Sequence, residues 1–249
     1  QTDVLAVSFS ATDIIGHRFG PDSREIHDQI LRLDRTIGAF IDSLYRLRDS
    51  TRIIIALTAD HGVSSYPELN TGHFTPAPLR VGVLPAIVAA ESVLVRARGN
   101  VAALDLESGA MSIDPAVAKV DGKVIREATD SFVAVGRRIP GVLRVDRLTD
   151  LARADTVNDK IARRWMHMFP ADQPVLAVVT LTPGSYWNPY PIAMHGTPHD
   201  YDTNVPIIFY GSPFKPGRYA GFVRTVDIAA TLAQVLGVRP TEKLDGRSL

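Results

Sequence analysis

The 249-residue chain contains no cysteine, which excludes a disulfide framework, thiolate metal ligands and a cysteine nucleophile. It has no net charge to offer either: Lys plus Arg (27) equals Asp plus Glu (27), so no overall field draws it to nucleic acid or to an anionic bilayer. Any anionic ligand must therefore be held by a local site. Long apolar runs are also missing. Val4 to Phe9, Ile53 to Leu57 and Val175 to Leu181 fall far short of the roughly 20 residues that cross a bilayer, so no membrane span is expected. The opening residues Gln1 to Phe9 lack the basic, apolar, small-residue pattern of a signal peptide.

What is present is an ordinary globular mixture, 45% hydrophobic and 22% charged, with length enough for a substantial core. Val4 to Phe9 and Ile53 to Thr58 are continuous apolar runs that suit strands covered on both faces. Between them, Asp22 offers an N-cap, and Ile26, Ile30, Leu33, Ile37, Phe40 and Leu44 recur in 4-3 steps, which predicts a long amphipathic helix. Strand, helix, strand with a long crossover predicts an α/β fold with a mainly parallel sheet, and ligands then gather at the C-terminal strand edge. Further helices are expected near Lys123 to Arg138 and Val157 to Phe169, and further strands at Val175 to Leu181 and Val205 to Tyr210. A C-terminal helix follows Thr225, with Gly237 as its stop. The organisation expected is a core begun by residues 1–63, an inserted subdomain over 64–170, and the remainder of the core over 171–249.

Three clusters carry candidate chemistry. Asp13 and His17 lie four apart just after a strand end, a spacing that puts both on one face of a helical turn. Asp60-His61-Gly62 ends an apolar strand, where adjacent Asp and His point into the crevice and the glycine lets the backbone turn behind them. The loop Thr182 to Asn204 holds His195, His199, Asp200 and Asp202, and either histidine can complete a site. Two carboxylates and three or four imidazoles are the inventory of a binuclear zinc centre, in which two ions hold the attacking and leaving oxygens of a phosphoryl displacement. His27 and His167 are expected on solvated helix faces, and His73 is left outside the metal set. Tyr186, Trp187 and Tyr190 are expected to pack their loop rather than line a substrate entrance.

The segments Asp13-Ile14-Ile15-Gly16-His17-Arg18-Phe19-Gly20-Pro21, Thr58-Ala59-Asp60-His61-Gly62 and His195-Gly196 with Asp200-Tyr201-Asp202-Thr203-Asn204-Val205-Pro206-Ile207 resemble the alkaline phosphatase superfamily. Within it they resemble the type I phosphodiesterase/nucleotide pyrophosphatase branch, and Val226 to Leu232 and Leu244 to Leu249 match the family's ending. The resemblance implies an alkaline-phosphatase-like sandwich whose N-terminal part lies upstream of Gln1. It assigns Asp13, His17 and His195 to one zinc and Asp60 and His61 to the other, with His199 second to His195. It also implies two zinc ions per intact enzyme and a Thr or Ser nucleophile, upstream of Gln1, that forms a covalent phospho-enzyme. This chain is then the C-terminal metal-binding portion, inactive alone, of a periplasmic or extracellular enzyme acting on a small-molecule phosphate ester, with no nucleic acid as structural partner. A same-fold sulfatase or phosphoglycerate mutase, or a non-catalytic binding module, is the alternative.

Overall fold

The computed structural model describes residues 3–169, 173–188 and 192–249. In chain order these form α1 (Ala11–Phe19), α2 (Arg24–Leu47), β1 (Ile55–Thr58), β2 (Arg80–Val81), α3 (Leu84–Arg96), β3 (Leu104–Glu107) and β4 (Ala110–Ile113). There follow α4 (Pro115–Ala118), α5 (Gly122–Gly136), β5 (Val142–Arg147), α6 (Leu148–Leu151), α7 (Lys160–Met168) and β6 (Val175–Leu181). The last elements are β7 (Tyr186–Trp187), α8 (Asp200–Thr203), β8 (Ile207–Tyr210) and α9 (Asp227–Val235). Two compact units result, one of residues 1–16, 23–62 and 204–249, the other of 17–22 and 63–203.

In the first unit, β1 pairs antiparallel with β8, from Ile55 opposite Tyr210 to Thr58 opposite Ile207. The long helix α2 forms where its apolar steps predict it. Its cap, however, is Ser23 rather than Asp22, because the Ser23 hydroxyl accepts the Ile26 amide at 3.2 Å, three residues into the helix. The closing helix α9 stops at Gly237, whose φ of 63° is the left-handed turn that favours glycine. Its start is displaced from the expected one: Val226 holds the cap position instead of Thr225, without a side-chain bond.

The expected strand Val4 to Phe9 does not form. Those residues sit in no ladder among the described residues, and Val4 and Leu5 are 83% and 70% exposed. An apolar run becomes a strand only when a neighbour takes up its amides and carbonyls, and here none does.

The second unit is built on a four-stranded sheet in the order β3-β4-β6-β5, antiparallel throughout. Its central strand β6 explains the apolar run that announced it. Ala177, Val179 and Leu181 join the large core with Leu94 of α3 and Phe132 of α5, while Val178 joins Leu151, Ala162 and Trp165 on the other side. Trp165 is buried and donates its indole N–H to the Thr180 hydroxyl at 2.9 Å, so α7 is tied to β6 by a bond as well as by packing.

The α/β class holds, and the sense of pairing does not follow the sequence reading. Among the described residues only the short β2–β7 pair is parallel. A continuous apolar run reports that both faces of a strand are covered, and helices on two sides of an antiparallel strand meet that condition equally well.

Candidate functional site

The Asp60-His61-Gly62 segment leaves β1 two residues after its last paired position, in the first unit. The His61 Nδ1 lies 2.8 Å from the Gly62 carbonyl oxygen. A carbonyl only accepts, so Nδ1 carries the hydrogen and the neutral ring presents a lone pair at Nε2. That Nε2 faces the Asp60 carboxylate at 3.6 Å and the Asp13 carboxylate at 3.8 Å. Both separations exceed a hydrogen bond. The Asp60 carboxylate also accepts the His61 amide at 3.1 Å, which fixes its direction. Gly62 differs from expectation: it is not among the residues of left-handed backbone, and its contribution is the carbonyl that sets the His61 tautomer.

In the second unit His17 and His195 come together. His17 and Asp13 both fall in α1, as their four-residue spacing requires. The His17 Nδ1 donates to the Ala193 carbonyl at 2.5 Å, and the Ala193 amide returns a bond to the His17 carbonyl at 2.9 Å. The tautomer is again fixed with the lone pair on Nε2, which accepts a hydrogen bond from the Nε2 of His195 at 3.2 Å. The rings are tilted by 42° with centroids 4.9 Å apart, so this is an approach of nitrogen edges rather than a stack. Two imidazole nitrogens bound to zinc at about 2.0–2.1 Å in tetrahedral geometry stand roughly 3.3 Å apart, which the observed pair matches. Nitrogen and carboxylate donors of this kind suit zinc, and ring N–H groups held by backbone carbonyls are the usual support of metal-binding imidazoles.

The other histidine of that loop is placed differently. His199 is 9% exposed and its Nε2 donates to the Leu181 carbonyl at the end of β6, at 2.8 Å. Burial lowers its pKa, against the Leu181 bond, and the nearby Arg164 guanidinium lowers it further, so the ring is a neutral packing element. It also lines a cavity of about 780 Å3 with Phe74, Arg164, Pro198 and Tyr201, and neither His17 nor His195 takes part in that lining. His27, His73 and His167 are exposed. Tyr186 is buried, with the Arg80 guanidinium 5.1 Å from its ring centre, and burial pushes its pKa up to about 12. Trp187 packs against the large core, and Tyr190 lies outside the described residues.

Two carboxylates that the sequence places only within motifs have bonding roles that the motifs do not assign. Asp202, 3% exposed, accepts both the amide and the hydroxyl of Thr197, at 2.8 and 2.6 Å. Asp227, 1% exposed, accepts the amides of Arg224 and Arg247 at 2.9 Å each, while Thr231 accepts the Leu249 amide at 3.1 Å. The closing motif is thus a clamp on the chain's last residues. Gly246 is needed in it, since a Cβ there would meet the Val226 carbonyl oxygen at 2.1 Å. The available signal for Asp227 was its place in the first turn of a helix, where a carboxylate commonly takes up backbone amides.

Comparison with known proteins places these features. The chain is 27% identical to the alkaline phosphatase PhoV of Synechococcus elongatus over 239 residues, which cover 96% of this chain and 43% of that protein. It is 28% identical to the alkaline phosphatase PhoK of a Sphingomonas species, over 100% of this chain and 46% of PhoK. The fold superposes on the crystal structure of the alkaline phosphatase PafA with a TM-score of 0.82 at 20% identity, covering 96% of this chain and 45% of that one. The chain therefore spans about half the length of the proteins it matches. The type I phosphodiesterase / nucleotide pyrophosphatase family matches residues 1–182, a range that includes Asp13, His17, Asp60 and His61, and the chain belongs to that family.

Proposed function

We propose that this chain supplies metal ligands for the hydrolysis of phosphate esters, with Asp13, His17 and His195 serving one zinc ion and Asp60 and His61 a second. The observation that carries the reading is the His17–His195 pair, whose facing nitrogens stand at the separation of two zinc ligands and whose His17 tautomer is set by Ala193. The resemblance to alkaline phosphatases supports the reaction class, a small phosphate ester being the substrate. Zinc supplies Lewis-acid polarisation of a phosphoryl oxygen in sites of this kind. The chain's own part is to hold that charge in place. The Ala193 and Gly62 carbonyls keep two imidazoles in the ligating tautomer, and the His61 amide orients the Asp60 carboxylate. None of these residues is the nucleophile, which in this reading is a Thr or Ser that forms a covalent phospho-enzyme.

The test is zinc content of the purified 249-residue chain by elemental analysis, before and after chelation. About one tightly held zinc is expected, lost in His17→Ala and His195→Ala and retained in His199→Ala, whose ring is committed to Leu181. Absence of zinc under every loading condition, or equal loss in the His199 variant, would overturn the assignment. Export to the periplasm or cell exterior is part of the same proposal, and rests on the family resemblance. No described helix is long and apolar enough to cross a membrane. Fractionation of the native protein checks it.

A further inference from the structure

We propose that Asp202 is a positioning residue for His195, fixing the metal-facing nitrogen by anchoring the loop on its C-terminal side. The inference deepens the metal reading above and rests on it.

His195 stands between two sets of backbone anchors, all in the second unit. On its N-terminal side, Ala193 exchanges two bonds with His17, and the Met194 carbonyl accepts the Ser64 amide at 2.9 Å. On its C-terminal side Gly196 turns the chain at a φ of 95°, a conformation that fixes nothing by itself because glycine adopts many others equally well. The restraint there is Thr197, held by Asp202 through two bonds to one carboxylate oxygen. The His199 carbonyl accepts the amides of Asp202 and Thr203 at 3.1 Å each, so the anchor is itself fixed to the turn it closes.

A buried carboxylate is costly to desolvate, and bonds from one amide and one hydroxyl are what offset that cost here. Removing it frees Thr197 and, through the glycine hinge, the ring two residues upstream. Groups bonded directly to a ligating histidine typically contribute 10- to 100-fold to metal affinity, and a carboxylate acting through the adjoining backbone is expected to contribute up to that range.

The test uses the full 249-residue chain in two states. In the metal-free protein, histidine ring nitrogen–proton correlation spectra report His195 directly, and the Trp165 indole N–H, bonded to Thr180, reports the fold. Asp202→Ala should shift or broaden the His195 ring signals while the Trp165 signal stays in place. Zinc affinity, by chelator competition, should then fall by up to about 100-fold in Asp202→Ala. The loss should be smaller in Asp202→Asn, which keeps an acceptor oxygen for Thr197, and smaller again in Thr197→Ala. Asp200→Asn, on the exposed side of the same short helix, is the control. Unchanged His195 signals in a folded Asp202→Ala, or a zinc loss no greater than in Asp200→Asn, would overturn the proposal. If Asp202→Ala fails to fold, Asp202→Asn and Thr197→Ala carry the test, and unmoved ring signals in both would overturn it. A wild-type chain that binds no zinc would refute the metal reading, and the metal-free spectra would still decide the role of Asp202.

Discussion

In the second unit the central strand β6 is apolar on both faces and covered on both, by α3 and α5 on one side and by α6 and α7 on the other. In the first unit β1 and β8 pair only with each other, and among the described residues Ile26, at 8% exposure, is the one buried apolar side chain. The sequences of the two units are patterned alike. α5 places Ile125, Ala128, Phe132 and Val133 on one stripe and buries all of them, whereas the equally regular stripe of α2 leaves Ile30 53% and Phe40 41% exposed. Hydrophobic periodicity specifies a face and says nothing of its cover. The first unit is held instead by polar devices: the Ser23 cap, the β1–β8 ladder and the Asp227 clamp.

The largest effect should come from the covered side of this comparison. Phe132 is fully buried in the large core, and Phe132→Ala empties the space its ring fills. A loss of about 3–5 kcal/mol is expected, read as a shift of the main transition in urea denaturation. A loss below about 1 kcal/mol would mean that the core collapses around the cavity, and the contrast between the units would weaken.

Next in size is Asp227→Ala, which leaves the amides of Arg224 and Arg247 without their acceptor, at a cost of about 2–3 kcal/mol to the first unit. Burial alone would raise the pKa of Asp227, but the Arg247 and Arg224 amides outweigh it and hold the carboxyl below its ordinary value. A depressed folded-state pKa contributes stability above the unfolded pKa, near 4, and loses it as pH falls through the folded value. Amide exchange at Arg224 and Arg247 should therefore quicken in acid below about pH 4 while α5 stays protected; simultaneous loss of both would refute a local clamp. Gly246→Ala acts on the same clamp by forcing the Val226 carbonyl aside, with an expected cost of roughly 1–3 kcal/mol in the same exchange measurement.

What could be read in the sequence divides between signals inside one element and signals that depend on its neighbours. α2, α5, α7 and β6 stand where their apolar patterns put them, because those signals lie within one element. The direction of pairing was misread, since apolar runs carry coverage and not strand sense. Val4 to Phe9 was misread for the related reason that a strand is a property of its neighbours. Among the candidate site residues, the approach of His17 to His195 joins residues 178 positions apart and follows from the family resemblance, never from spacing. Asp202 is named in the sequence only as one of several acidic and histidine residues of its loop, and its partner Thr197 is too ordinary to mark its bonding role.

The smallest predicted effect tests the comparison most directly. Phe40→Ser in α2 exchanges an exposed aromatic for a hydroxyl, and substitutions at such positions usually change stability by no more than about 0.5 kcal/mol. The helix remains capped by Ser23, so the far-ultraviolet circular dichroism should be unchanged. Self-association should fall instead, because Phe40 stands with Val4, Leu5, Ile30 and Ile208 among the exposed large apolar side chains of the first unit. Light scattering over a concentration series reads that change. If Phe40→Ser instead destabilises the protein by more than about 1.5 kcal/mol, the aromatic ring is covered in solution. The stripe of α2 would then be a core face like that of α5, and the difference between the units would be one of partner and not of kind.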